Sequence, residues 1–200
     1  MKVEQPAIKK DTEQDQRPST TVDILLDAGA DTNVTHCSGL SPIDAAARGG
    51  QAYAIQRLID YGAEVEPNSP GENTPLYHAV KAQHEEAVQI LCDNGADTNA
   101  IVKDGWTPFA HAIQTGNMNI IRRLRAAGGN LKVRCGADEL TPVILDHLHH
   151  WLTLLHIAAV EGHAVVIKWL AAPEQGFNVA ERDGRGRTAR ELVAEMRRQV

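Results

Sequence analysis

The chain has 200 residues, of which 42% are hydrophobic, and it carries 26 acidic and 20 basic residues for a formal net charge of −6. This length is sufficient for a sizeable core, and the lack of an 18-residue apolar run argues against a transmembrane helix. The acidic balance, without a basic motif rich in aromatic residues, argues against binding to nucleic acid, and we expect no membrane partner.

The N-terminal residues 1–19 are predicted to form a disordered or degenerate tail, because Lys9, Lys10, Asp11 and Thr12 cannot build an apolar stripe. They also lack the apolar segment of a secretory signal. The first predicted helix ends at Gly29, and its apolar residues are Val22, Ile24, Leu25 and Leu26.

Residues 74–100 predict two short helices and a stop. Thr74 suits an N-cap, and Pro75 suits the first helical position, where its missing N–H is not needed. Two apolar stripes follow, one of Leu76, Ala79 and Val80 and one of Ala87, Ile90 and Leu91. Gly95 then suits the left-handed position that closes a helix. Each helix is too short to be stable alone, so the pair needs a neighbour.

Two sets of landmarks recur every 33 residues. One set comprises Ser41, Thr74 and Thr107, each followed by proline, and the other comprises Gly29, Gly62, Gly95 and Gly128. With the segments SPIDAAARGG, TPLYHAVKAQH and TLLHIAAVEGH, the chain resembles the ankyrin-repeat family. The resemblance implies an all-α solenoid of about five helix-turn-helix repeats with a C-terminal capping helix.

The expected domain covers residues 20–200. Its repeats are predicted at about 20–33, 34–66, 67–99, 100–134 and 153–181, with an insertion at 135–152 and a cap at 182–200. The insertion is inferred because Gly128 and Thr153 are 25 residues apart, whereas Gly95 and Thr107 are 12 apart. Only His156 keeps the histidine of the family signature, which in the family braces a turn through hydrogen bonds. Asp44, Tyr77 and Ala110 occupy the equivalent positions.

The three cysteines, Cys37, Cys92 and Cys135, are odd in number and form no C-x-x-C pair, which favours reduced thiols in an intracellular protein, cytoplasmic or nuclear. His147, His149 and His150 lie beside Asp146 in the insertion. No second pair of ligands is evident, so we expect no metal site. We also expect no cofactor.

The resemblance predicts a protein–protein interaction module, an adaptor that binds a partner protein through its concave face and hairpin tips. Family positions that contact partners map onto Leu40, Arg48, Asn73, Lys81, Lys103, Asp104, Trp106, Gln114, Thr115, Arg185 and Arg187. Trp106 is the expected anchor, because tryptophan is frequent at interface hot spots. The other reading is that Trp106 packs on its own hairpin.

A second hypothesis is an enzyme or small-molecule binder on the same scaffold. Asp44, Tyr77, His78 and His111 would then line a groove and supply acid–base groups. A deep enclosed pocket beside the two histidines would favour this alternative, and an open groove would favour the adaptor.

Overall fold

The computed structural model describes residues 20–37, 39–66, 73–102, 105–132, 134–136, 151–176, 178–196 and 198. The helices are α1 (Thr21–Asp27), α2 (Pro42–Arg48), α3 (Ala52–Asp60), α4 (Pro75–Lys81), α5 (Glu85–Asp93), α6 (Pro108–Thr115), α7 (Met118–Ala126), α8 (Leu154–Val160), α9 (Ala164–Leu170) and α10 (Ala189–Met196). Two strands, β1 (Arg134–Gly136) and β2 (Trp151–Thr153), and a 3-10 turn (Pro173–Gln175) complete them. The expected tail at 1–19, and residues 137–150 of the expected insertion, lie outside the described residues.

Helices α2, α4 and α6 begin in the same way, with a hydroxyl at the N-cap and proline at the first helical position. The side chain of Thr74 accepts a hydrogen bond from the Tyr77 backbone N–H at 3.1 Å, and Thr107 accepts from Ala110 at the same distance. These bonds satisfy amides that have no partner within the helix. The N-cap predicted at Thr74 is therefore confirmed.

The helices form two layers. The inner helices α2, α4, α6, α8 and α10 pack against one another in chain order, and α1, α3, α5 and α7 do so in the outer layer. Fully buried side chains between the layers include Ile43, Ile55, Leu76, Leu91, Phe109, Ile113, Ile121, Leu124 and Leu154. Short helices thus bury their apolar stripes against copies of themselves, as expected of a solenoid.

The short strands β1 and β2 are the exception to an all-helical architecture. They pair in antiparallel fashion, with Arg134 opposite Thr153 and Gly136 opposite Trp151. Gly136 and Trp151, on either side of residues 137–150, therefore lie next to each other. Helix α6 also packs against α8, so the inner layer is continuous from α6 to α8.

Helix α1 is the outer helix of the first repeat and packs against α3. Of its four apolar residues, Leu26 is 6% exposed, whereas Ile24 and Leu25 are 60% and 55% exposed. Val22 is half-buried and packs against the core, so Leu26 and Val22 face inward while Ile24 and Leu25 do not. The described residues contain no inner helix before α2 that would cover the other side of α1.

Polar contacts compensate for the small apolar interface of α1. The carboxylate of Asp23 accepts hydrogen bonds from the Thr20 backbone N–H at 2.9 Å, the Tyr53 hydroxyl at 2.9 Å and Arg57 Nε at 2.7 Å. Burial alone would raise the pKa of Asp23, but the bonds from Thr20, Arg57 and Tyr53 hold it well below its usual value. Asp23 therefore caps its own helix and joins it to α3.

Replacing Asp23 with alanine is expected to lower the free energy of unfolding by about 2 kcal/mol, because it removes a helix cap and leaves the half-buried Arg57 without this acceptor. Asp60→Ala is the matched control, since Asp60 lies 3.9 Å from the same guanidinium but its side chain is 44% exposed. Denaturant unfolding at neutral pH measures both. Equal small losses would show that the Asp23 contacts contribute no more than an exposed ion pair.

Candidate functional site

The inner layer presents one accessible row of side chains, which we call the inner ridge. It is formed by exposed or half-buried residues of α2, α4 and α6 at equivalent repeat positions, namely Ala45, Arg48, His78, Lys81, His111 and Gln114. Arg48 and Lys81 end their helices and point out of the stack, where both are exposed. The ridge therefore combines two exposed cations with two imidazoles.

Aromatic rings support the middle of the ridge. The ring of His111 lies 5.3 Å from that of Tyr77 and 6.2 Å from that of Trp106, measured between centroids. Lys81 Nζ lies 5.7 Å from the centre of the Tyr77 ring, a distance at which cation–π attraction operates. The ring of His78 lies 6.5 Å from that of Tyr77, so both histidines lie beside the Tyr77 ring.

Trp106 differs from the sequence expectation. It is only 2% exposed, and its indole meets the ring of His111 nearly edge-on, with an angle of 83°. Its carbonyl accepts a hydrogen bond from the Val102 N–H at 2.9 Å, which closes the hairpin and directs the ring inward. The prediction that Trp106 is an exposed anchor is therefore wrong, and the alternative that it packs beneath its own hairpin describes its position.

The acid–base quartet is also not displayed as expected. Asp44 is fully buried, and its carboxylate accepts hydrogen bonds from the Ser41 N–H at 3.0 Å and hydroxyl at 2.7 Å. This is a capping box, which engages the carboxylate within its own helix turn. Tyr77 is 3% exposed beneath the ridge. Of the four residues, only His78 and His111 lie partly at the surface.

Both surface histidines are biased toward the neutral form. Burial lowers the pKa of His111 to about 4, and the charge of Lys81 adds to this effect. Burial also lowers the pKa of His78, where Asp44 opposes the shift and Arg48 and Lys81 reinforce it. At neutral pH both histidines are thus uncharged and can donate or accept hydrogen bonds.

This shift predicts a pH-dependent stability. Between pH 6.5 and about 4 the unfolded state binds a proton at His111 that the folded state does not, so stability falls as the pH falls. We expect His111 to account for a loss of about 1 to 2 kcal/mol between about pH 7.5 and about pH 5. Unfolding curves of the wild type and His111→Leu measure it, and the wild type should lose more. Parallel pH profiles would contradict the prediction.

The remaining partner-binding candidates occupy varied positions. Leu40, Asn73, Gln114 and Thr115 are half-buried, and Arg185 is exposed on the hairpin before α10. Arg187 is engaged within the protein, at 2.8 Å from Asp183 and 2.7 Å from Glu195. Lys103 and Asp104 lie outside the described residues.

The signature histidine of the last full repeat joins two hairpins. His156 is fully buried, with Nδ1 2.7 Å from the Thr153 hydroxyl and Nε2 2.8 Å from the Arg187 carbonyl oxygen. The resemblance implied such bracing, and these contacts agree with it. Sequence reasoning missed His84 and His163, which contact the carbonyl oxygens of Arg48 and Gln114 at 3.3 and 2.7 Å.

A cavity of about 670 Å³ lies on the outer layer between α5 and α7, away from the inner ridge. It is lined by Glu85, Glu86, Gln89, Asn119, Ile120, Arg122, Arg123 and Ala126. Across the described part of the chain, no cluster of three or more histidine, cysteine or carboxylate side chains is arranged to hold a metal ion. The candidate ligands of the insertion, Asp146, His147, His149 and His150, fall outside that part.

The geometry defines a class, a two-layered helical solenoid whose inner helices and hairpins are accessible. Residues 14–102 match the family model for ankyrin repeats, in three copies, so this part of the chain consists of ankyrin repeats. The expected family and fold are thereby confirmed. No curated protein is significantly similar to the chain in sequence. Within the described residues, no helix is both long and apolar enough to cross a membrane.

Proposed function

We propose that this protein is an adaptor that binds a partner protein through the inner ridge and the adjoining hairpins. Ankyrin repeats are generally protein–protein interaction modules. The observation that carries the proposal is the inner ridge, where Ala45, Arg48 and Lys81 are exposed in consecutive repeats although their helices supply the core. Exposed side chains at one repeat position form a continuous surface, which is how solenoids build extended binding sites.

The structure offers less support for an enzyme. A reaction centre needs titratable groups that reach a substrate, and two of the four candidates, Asp44 and Tyr77, are buried in local contacts. The described cavity lies on the opposite layer. An open ridge is the geometry expected of a surface that lies along an extended partner.

Site-specific photocrosslinking in extracts tests the proposal. A photoreactive amino acid is placed at Ala45 on the inner ridge or at Ala82, the exposed residue that follows Lys81 at the end of α4, and at Gln89 or Arg122 on the outer helices as matched controls. We expect protein adducts from the inner positions that the outer positions do not give. Substitution at these positions leaves the cations of the inner ridge in place, so the test does not depend on the charge of the ridge.

Adducts that arise only from Gln89 and Arg122, or equally from all four positions, would rule out the inner ridge as the binding face. Each variant is first checked by its melting curve, because a crosslinker that unfolds the array would expose new surface. All four positions are exposed and lie outside the core, so folding should be unaffected.

An intracellular location, cytoplasmic or nuclear, is part of the same proposal. Cys37 is an exposed free thiol, and Cys92 is a half-buried free thiol whose pKa burial raises to about 11. Free thiols are typical of reducing compartments. Fractionation of cells that express a tagged full chain tests this location. Recovery of the protein only from secretory fractions would refute it.

A further inference from the structure

The charges of the first three repeats are strongly segregated. Between residues 20 and 102 the chain has only three basic residues, Arg48, Arg57 and Lys81. Arg57 is engaged on the outer layer, where Nε lies 2.7 Å from Asp23. The other two are exposed on the inner ridge, and no ion pair to either is found among the described residues. The inner ridge therefore carries both uncommitted cations of an otherwise acidic segment.

The acidic residues that the structure describes in the same repeats lie elsewhere. The outer helices carry Asp23, Asp27, Asp60, Glu85, Glu86 and Asp93, and the turns after them carry Asp31, Glu64, Glu66 and Asp97. The single carboxylate of α2 and α4, the inner helices of these repeats, is Asp44, which is fully buried in its capping box. An acidic ligand is thus repelled from the back and sides of these repeats and attracted to the ridge.

We infer that the partner segment on the inner ridge is an acidic peptide with two carboxylates spaced to meet Arg48 and Lys81. This inference rests on the proposed function and adds the chemistry of the partner. Arg48 supplies a planar fork that suits a carboxylate, and Lys81 supplies a point charge beside the Tyr77 ring. His78, on the same helix as Lys81, is a neutral donor or acceptor for the peptide backbone.

The spacing of the ridge limits the sequence of the segment. Neighbouring packed helices lie about 8–10 Å apart, so Arg48 and Lys81 repeat at about that interval. A peptide in the polyproline II conformation rises about 3.1 Å per residue with three residues per turn, which places residues i and i+3 on one side about 9 Å apart. The acids are therefore assigned to positions three residues apart.

The ridge also predicts the order of residue types along the partner segment. The positions equivalent to Arg48 and Lys81 are Gln114 in α6 and Val160 in α8, so the row runs from two cations through an amide to an apolar side chain. The acids of the segment belong over α2 and α4, and uncharged or apolar residues belong over α6 and α8.

A titration monitored by backbone amide NMR shifts tests the inference with a defined probe. The probe is a proline- and alanine-rich peptide with two glutamates three residues apart, and its control has glutamines at those positions. We expect shifts around Arg48, His78 and Lys81 from the acidic peptide, and about tenfold weaker binding by Arg48→Glu/Lys81→Glu. Arg122→Glu/Lys168→Glu, which makes the same change of charge on exposed outer positions, should bind as the wild type does.

Three outcomes would overturn the assignment. The acidic peptide leaves the ridge amides unperturbed, the glutamine peptide binds as well, or a single-stranded oligonucleotide of equal charge binds the ridge more tightly than the peptide. Proteins crosslinked from Ala45 or Ala82 give a separate check, because their contact segments can be sequenced. Crosslinked segments without acids would refute the acidic peptide while leaving the adaptor function intact, whereas absence of inner-face adducts would refute the adaptor itself.

Discussion

Trp106→Ala is expected to lower the free energy of unfolding by about 3–5 kcal/mol, the range for removing a large buried aromatic side chain. The indole is 2% exposed and belongs to the core cluster with Val102 and Phe109. Its loss leaves a cavity beneath His111, whose ring it contacts edge-on. For a chain of this size the melting midpoint should fall by about 10 °C.

Ile101→Ala is the matched control for this prediction, because Ile101 belongs to the same hairpin and is 66% exposed. We expect it to change the midpoint by less than about 2 °C. Trp106→Phe should recover part of the lost stability, since it refills part of the cavity. If Trp106→Ala melts like the wild type, the indole does not contribute to the core as described.

The fold could be predicted well because the same local sequence signals for helix starts and ends recur in several repeats. Thr74 and Thr107 act as N-caps, each with proline at the first helical position. Gly29, Gly62, Gly95 and Gly128, which close the outer helices, have φ between 83° and 98°, a left-handed conformation that favours glycine. These are local rules, and a period of 33 residues lets each be checked against its copies.

The candidate site was predicted less well because residue type does not fix the direction of a side chain. Trp106 has the chemistry of an interface anchor, but the hairpin bond to Val102 directs its ring into the core. For Asp44 the signal was present in the sequence. Serine followed three residues later by a carboxylate is the pattern of a capping box, and it indicated a structural role before any catalytic one.

A second pattern links each repeat to the next and could also have been found. After α2 and α6 the chain passes through a left-handed glycine, Gly50 or Gly116, and the ring of His84 or His163 lies directly over it. After α4 that position is Gln83, with φ of 59°, and the residue that would lie over it is Asn117 instead of histidine. At Gly50 and Gly116, glycine leaves the space that the histidine ring occupies, whereas Gly162 at the same position after α8 has no ring over it.

Gly116→Ala is accordingly expected to destabilise the protein by about 2–4 kcal/mol, from left-handed strain of about 1–2 kcal/mol and from steric overlap of similar size. An added Cβ would lie 2.7 Å from the His163 ring, which is held by its 2.7 Å contact with the Gln114 carbonyl oxygen. Denaturant unfolding of the purified variant measures the loss.

Gly162→Ala separates the two contributions, because Gly162 has nearly the same φ, 76° against 73°, yet nothing lies within 4 Å of an added Cβ. It should lose only the strain of about 1–2 kcal/mol. Adding His163→Ala to Gly116→Ala should remove the overlap, so the double variant should lose less stability than the sum of the single losses. Equal losses for Gly116→Ala and Gly162→Ala, with additive double-variant behaviour, would leave backbone strain as the whole cause and remove the role assigned to the ring.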